Sequence, residues 1–324
     1  MDARAHSVNT NRELEIGCLN PHHELLSGLI REQKYINPKY FYDEHGSKLF
    51  EDITSLPEYY PTRTEIDILR TNAHSITKCT GKNCQLIEPG AGSCEKVTHL
   101  LETMRPCAFL PQDISADFLH QTATRLRQKY QWLNVTPLPG DFHDEINLPA
   151  NLPKSKRVVF YPGSTIGNFE PTQAAAFLSR MRKLIGEEGG IIIGVDLQKD
   201  LSVLNAAYND NQGITAEFNL NILKHVNRLL KTNFEPNNFK HKAFYNEDCH
   251  RIEMHLESRI EQKIDCQDQV LRLDKGETIH TENSYKYTLE SFSQLAKCAG
   301  LKIRQSWLDE NQLFSVHYLE PSSF

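Results

Sequence analysis

Apolar positions along the chain change their period several times, and each change marks an element. Residues 64–80 place Ile66, Ile68, Leu69 and Ile76 at helical spacing, and the apolar pair Leu86-Ile87 then runs into Glu88-Pro89-Gly90-Ala91-Gly92-Ser93. Beyond the two glycines the helical period returns through Val97, Leu100, Leu101 and Met104. This pattern predicts a strand, a glycine turn and a helix. Short apolar runs at 107–110, 135–138, 157–161 and 191–195 follow, separated by helical stretches carrying Phe118, Leu119 and Leu126, or Phe177, Leu178, Met181 and Leu184. Such alternation predicts βαβ units and an open, mostly parallel sheet.

The rhythm stops after Asp196. Residues 201–230 read as helical, 251–259 alternate as a strand through Ile252, Met254 and Leu256, and further strand is expected near 270–273 and 277–287. A helix at 291–299 leads into an antiparallel pair, 301–308 and 313–319, around Asp309-Glu310-Asn311. Upstream, 12–29 predicts a helix in its second half and 48–53 a short one, and Pro57 and Pro61 predict an extended segment around Tyr59 and Tyr60. The inserted strands and the N-terminal segment are expected to form a second α+β unit. Its residues are 1–61 plus 200–285, acting as a substrate-binding lid over a sheet domain of 62–199 plus 286–324.

The glycine turn carries the first chemistry. Glycine lets the backbone pass close beneath a ligand, and a helix start offers unpaired N–H groups. Asp113, at the end of the next apolar run, is placed to accept hydrogen bonds from a ribose diol. Asp141 and Phe142, just past the third run, suit an adenine amine and ring face. Asn168 ends a further glycine-containing loop at a strand tip, Pro162-Gly163-Ser164-Thr165-Ile166-Gly167-Asn168. Glu95 stands where a dinucleotide fingerprint has its third glycine, and Glu88 precedes the turn. A pyrophosphate wants bare N–H groups, whereas the sulfonium and ammonium of S-adenosylmethionine tolerate acid. The cofactor expected is therefore S-adenosylmethionine, not NAD.

Charge and cysteine usage narrow the class. With 36 Lys and Arg against 42 Asp and Glu the formal net charge is −6, without long like-charge runs, so no nucleic-acid partner is expected. The eight cysteines form no Cys-x-x-Cys pair and no zinc spacing, so no metal is expected and a reducing, cytoplasmic setting is. Apolar runs are only strand-length and residues 1–11 are polar, so neither a membrane nor a targeting segment is expected. A monomer is the expected state.

In order along the chain, YFYDEHGSKLFEDITSLPEYYPTRTE, EPGAGSCEK, GDF, GSTIGN, GVDLQKD, AAYNDNQGITAEFN, RIEM and TENSYKY resemble the L-histidine Nα-methyltransferases of ergothioneine biosynthesis. The resemblance runs from about residue 38 to the C-terminus. It implies a class I Rossmann-like methyltransferase sheet closed by an antiparallel hairpin, and S-adenosylmethionine-dependent trimethylation of the α-amino group of L-histidine to hercynine. It implies cofactor contacts at Gly90, Lys96, Asp113, Asp141 and Phe142. For histidine it implies Asn168 and Tyr208 on the carboxylate and amine, Gly163 and Thr165 along the loop, Tyr59 near the amine, and Glu282 and Ser284 on the imidazole. Tyr42 and Met254 would approach the ring, and Tyr59 and Asn168 stand closest to the chemistry. Pro89, Cys94 and Pro162 depart from the family pattern.

Overall fold

Strands rich in Val, Ile and Phe, apolar on both faces, need cover on both sides, and the chain supplies it. The computed structural model describes residues 21–142, 144–266 and 269–322; the N-terminal tail with Cys18 lies outside them. The described chain opens with α1 (Pro21–Leu29), β1 (Lys34–Tyr35), α2 (Glu44–Thr54) and α3 (Tyr60–Thr80). Then come β2 (Gln85–Pro89), α4 (Thr98–Met104), β3 (Ala108–Asp113), α5 (Ala116–Lys129), β4 (Leu138–Pro139), β5 (Arg157–Tyr161), α6 (Pro171–Ile185) and β6 (Gly190–Asp196). The insertion holds α7 (Leu201–Tyr208), α8 (Ile214–Leu230) and β7 (Phe239–Asn246), β8 (Arg251–Ser258), β9 (Gln262–Cys266), β10 (Gln269–Leu273) and β11 (Thr278–Tyr285). The chain ends with α9 (Leu289–Cys298), β12 (Leu301–Leu308) and β13 (Phe314–Pro321).

The large sheet has seven strands in the order β12-β13-β6-β5-β2-β3-β4. Strands β4, β3, β2, β5 and β6 run parallel, and β13 is antiparallel to both β6 and β12. Neighbouring residues on each strand feed opposite cores. Leu86, Phe109, Val158 and Ile192 pack with Ile68, Leu69 and Ile76 of α3 and Leu100 of α4. Ile87, Leu110, Val159, Ile191 and Ile193 pack with Phe177 and Leu178 of α6 and Phe292 of α9. A four-stranded sheet, β1-β11-β8-β7, covers a third core that joins Leu25–Tyr60 side chains to Leu204, Phe218, Ile222 and Met254. The parallel sheet and its closing hairpin are as the periodicity predicts.

Local readings differ in four places. The Pro57–Pro61 segment is not extended throughout, because α3 begins at Tyr60 and Pro61 occupies its first turn, where a missing N–H costs nothing. Helix α2 starts at Glu44, four residues before the expected start, because the Asp43 carboxylate caps it by accepting from Gly46 N at 2.8 Å. The expected strand at 135–138 shrinks to β4 with an isolated bridge between Val135 and Phe109. Strands β7 and β9 lie outside the expected elements: β7 is half-exposed without clean alternation, and β9 alternates but is only five residues long with two buried positions, Ile264 and Cys266.

Candidate active site

The carboxyl ends of the parallel strands and the face of β11 enclose one cleft of about 2170 Å³, lined by residues of both sheets. It is large enough for a nucleoside cofactor together with an amino acid. Of the residues singled out in the sequence, Tyr42, Tyr59, Gly90, Lys96, Asp113, Asp141, Phe142, Gly163, Thr165, Asn168, Tyr208, Glu282 and Ser284 all line it. Met254 does not. It pairs opposite Glu282 across β8 and β11 and is 2 % exposed, inside the core that the small sheet covers.

At one end of the cleft, Gly90 turns the chain after β2 with φ 66°, and a Cβ there would stand 3.1 Å from the Phe142 ring. Only glycine satisfies both conditions. Phe142 itself packs edge-on to Tyr161, Phe169 and Phe177. Asp113 at the tip of β3 accepts from Gly92 N and from Ser115 N, each at 3.0 Å, one on each carboxylate oxygen. Each oxygen keeps acceptor capacity for a ligand hydroxyl. Lys39 reaches toward Asp141 at 4.0 Å.

Glu88 sits at the end of β2, 2 % exposed, and burial pushes its carboxyl well above the usual range. The Cys94 thiol donates to it, which gives that cysteine a role, but Glu88 Oε2 is buried with no partner among the described residues. A buried acceptor of this kind, near the Asp113 carboxylate, suits a ligand that brings a donor or a cation to this end of the cleft.

Lys96 makes a contact that the sequence does not announce. Its Nζ donates to Glu65 Oε2 at 2.7 Å, and the fully buried Glu65 carboxylate also accepts from Gly163 N at 3.0 and 2.9 Å. Glu65 thus ties α3, the start of α4 and the β5 loop together beneath the cleft. An acid in a helical run reads as a solvated face, so only its tertiary partners reveal it.

Aromatic side chains wall the other end. Tyr42 lies edge-on to Phe50 and Phe218, and Tyr59 edge-on to Tyr208. Burial first, then neighbouring acids and phenols, holds the Tyr59 and Tyr208 hydroxyls well above their ordinary value, so both stay neutral. The Tyr208 hydroxyl donates to Ser284 Oγ at 2.8 Å. Lys286 Nζ donates to Ser284 Oγ at 2.8 Å and to Tyr208 Oη at 3.2 Å, and pairs with Asp196 Oδ2 at 2.7 Å. Asp196 also accepts from the Tyr60 hydroxyl at 2.8 Å and from Lys199 at 2.5 Å. Burial opposes its charge, but the Lys286 and Lys199 ammonium groups hold the carboxyl below its usual range. Lys286, Asp196 and Glu65 are the residues that sequence reasoning missed. Lys286 lies inside the TENSYKY run, two residues beyond Ser284.

Glu282 stands on β11 at a register shift between His280 and Glu282, where the intervening Thr281 turns to bond Asn219 Oδ1 and Met254 O. Burial pushes the Glu282 carboxyl up to about 7, with Lys286 opposing. Between its ordinary 4.5 and about 7, the folded chain holds a proton that the unfolded chain has released. The resulting stability is full below the lower value and is lost as pH rises through the upper one. Glu282→Gln does not titrate, so its stability relative to the parent should grow across that window, by about 3 kcal/mol above roughly pH 8. Denaturant midpoints measured at both ends of the window check this, and parallel profiles would refute it.

Glu253, His255 and His280 bring one ligand atom each within 4.8 Å of one another. The two imidazoles, however, stack at 4.5 Å with planes 12° apart, so their in-plane lone pairs do not converge on one ion. His255 Nε2 instead bonds Glu253 Oε2, and His280 Nε2 bonds the Glu282 carbonyl. Among the described residues no helix is long and apolar enough to cross a membrane, and Cys79, Cys84, Cys94, Cys107, Cys249, Cys266 and Cys298 are free thiols.

The chain is similar to known proteins over nearly its whole length. It is 38% identical over 293 residues to a histidine N-alpha-methyltransferase of Mycolicibacterium smegmatis, covering 88% of this chain and 90% of the relative. It is 31% identical over 291 residues to ergothioneine biosynthesis protein 1 of Neurospora crassa, covering 87% of this chain but 32% of that longer protein. A 4-dimethylallyltryptophan N-methyltransferase of Epichloe festucae is 27% identical over 314 residues, covering 88% of this chain and 90% of the relative. The model of the SAM-dependent, histidine-specific methyltransferases matches residues 21–321. With its acid-lined glycine turn and a cleft shared by two sheets, the chain belongs to that family of S-adenosylmethionine-dependent methyltransferases.

Proposed function

We propose that this chain transfers three methyl groups from S-adenosylmethionine to the α-amino nitrogen of L-histidine, giving hercynine as the first step of ergothioneine biosynthesis. The observation that carries the reading is the buried Glu282 carboxylate beside the Ser284 hydroxyl, at the far end of a cleft whose other end holds Asp113 and Glu88. An anionic acceptor and a hydroxyl side by side suit an imidazole. When bound, S-adenosylmethionine supplies a methyl group on a sulfonium, open to in-line attack by an amine lone pair.

The chain's own residues bind and align. Asp113 accepts from the ribose, Glu88 faces the ammonium, Asp141 and Phe142 take the adenine, and Gly90 and Lys96 close the floor. Asn168 and Tyr208 hold the carboxylate and amine, Gly163 and Thr165 shape the loop between the two ligands, Tyr59 borders the nitrogen, and Tyr42 covers the ring. Alignment in near-attack geometry supplies several kcal/mol, so no strong base is required. The neutral Tyr59 phenol is a hydrogen-bonding neighbour of the amine and passes its proton to water. Each added methyl removes an N–H donor, so the grip that persists through three rounds must come from the carboxylate and the ring.

In this reading 62–199 plus 286–324 bind the cofactor and 1–61 plus 200–285 bind the amino acid; the separate core under the small sheet supports the division. The free thiols among the described residues support a cytoplasmic setting, and a monomer is proposed as the working unit.

Mass spectrometry of the protein incubated with S-adenosylmethionine and each of the twenty amino acids tests the reading. A gain of three methyl groups on histidine alone is expected. Methylation of tryptophan or another amino acid in preference would overturn the substrate and keep the cofactor. Asp113→Ala should raise the S-adenosylmethionine Kd about tenfold to a hundredfold, from the loss of one or two charge-assisted hydrogen bonds. An unchanged Kd in calorimetry would remove Asp113 from the cofactor site.

A further inference from the structure

The loop after β5 carries two hydroxyls, and only one of them has a hydrogen to spare. Thr165 Oγ1 donates to Pro162 O at 2.9 Å, so its hydrogen is spent inside the loop. Ser164 Oγ instead accepts from Asp196 N at 2.9 Å, a bond in which the N–H can only be the donor. The serine's own hydrogen is left over, and no acceptor for it lies in range among the described residues. Ser164 is 6 % exposed and lines the cleft, so that hydrogen meets what fills the cleft beside it. The backbone is also held there at a cost. Ser164 stands at φ 54° and ψ 26°, a left-handed conformation that favours glycine, directly after Gly163 at φ 80°.

Strand order decides which ligand Ser164 faces. The tips of β2 and β3 and the turn after β4 carry Gly90, Asp113 and Asp141, whereas β6 lies on the other side of β5. The bond to Asp196 N ties Ser164 to the tip of β6, and the Asp196 carboxylate pairs with Lys286, which donates to Tyr208. That is the amino-acid end of the cleft. We infer that Ser164 is a further substrate-binding residue, whose hydroxyl donates to the α-carboxylate of the amino acid beside Asn168. The inference rests on the proposed histidine reading and adds one contact to it. A spare hydrogen calls for an acceptor. Away from its ring an amino acid offers only the carboxylate oxygens and the amine lone pair, and the lone pair must stay open to the methyl group. The carboxylate is the acceptor that remains, and a hydrogen bond to a charged group is the stronger kind.

Calorimetry in the presence of S-adenosylhomocysteine, with L-histidine and with histamine, which lacks only the carboxylate, tests this. In the parent protein the Kd of histamine, taken from competition with histidine, should exceed that of histidine by about a hundredfold or more. In Ser164→Gly, which suits the left-handed backbone, and in Ser164→Ala, the histidine Kd should rise about tenfold or more while the histamine Kd stays within about threefold. The Kd of S-adenosylhomocysteine alone should stay within about twofold, which also reports an intact fold. A serine that only pins the loop to β6 would weaken both amines alike and leave their ratio unchanged, and that result would overturn the inference. A fall in S-adenosylhomocysteine affinity with the histidine Kd unchanged would give the hydroxyl to the cofactor and overturn it as well. A parent protein that binds S-adenosylhomocysteine but not histidine would instead overturn the substrate reading on which the inference rests.

Discussion

Glu282→Ala raises the KM for L-histidine on the order of a hundredfold and leaves the S-adenosylmethionine Kd within about twofold. Glu282 is 9 % exposed, and burial already pushes its carboxyl up to about 7, so its charge is held at a cost that a ring N–H of the substrate offsets. Truncation leaves that N–H buried against a methyl group, without acceptor or water. Nothing in the change reaches Asp113 or Glu88, which lie at the ends of β3 and β2 in the other sheet. Initial rates for KM and calorimetry for the cofactor separate the two effects. An equal fall in cofactor affinity would mean that Glu282 supports the cleft as a whole and does not read the ring.

Gly194→Ala is expected to lower stability by about 3 kcal/mol and to weaken S-adenosylmethionine binding about tenfold, although it touches neither ligand. A Cβ at residue 194 would stand 1.9 Å from Glu65 Oε1 and 3.0 Å from the Phe314 ring. Glu65 cannot swing aside freely. Its carboxylate is fully buried and holds both the Gly163 N–H and the Lys96 ammonium, so displacing it strands a buried charge and releases the two loops that flank the cleft. Shortening the acid should restore part of the loss, so Gly194→Ala with Glu65→Asp should be more stable than Gly194→Ala alone. Denaturant midpoints and calorimetry measure both effects. A parental midpoint for Gly194→Ala would show that the Glu65 cluster is loose.

What the sequence discloses depends on whether a signal is local. The strand, turn and helix around Gly90 are written in periodicity and glycine placement, and Asp113 follows from its position at the next strand tip. The closing hairpin is equally plain, because 301–308 and 313–319 flank an obvious turn. Strand β7 was illegible because Phe239–Asn246 is a half-exposed edge, where Lys and His alternate with few apolar anchors. Pro61 misled because the same residue that breaks a helix interior also suits a helix start. Glu65, Asp196 and Lys286 carry no local signature at all. Glu65 and Asp196 are charges in ordinary elements and Lys286 lies just past β11, and the meaning of each comes from partners far away in the chain. Met254 shows the converse: adjacency to Glu282 across two strands places it near the ring-binding residue, yet its side chain fills the core.

The order of strands in the large sheet also bears on how the chain is made. β13, which follows every other strand described here in chain order, is an interior one, lying between β12 and β6. The core under the small sheet likewise joins residues 25–60 to residues 204–279, so its first helices emerge long before their partners. Contacts of such high sequence separation form slowly, and until they form the apolar faces of α2 and β6 are uncovered. A nascent chain therefore cannot complete the two cores of the large sheet until β13 has left the ribosome, and removing that strand would open the middle of the sheet, with consequences far beyond trimming its edge.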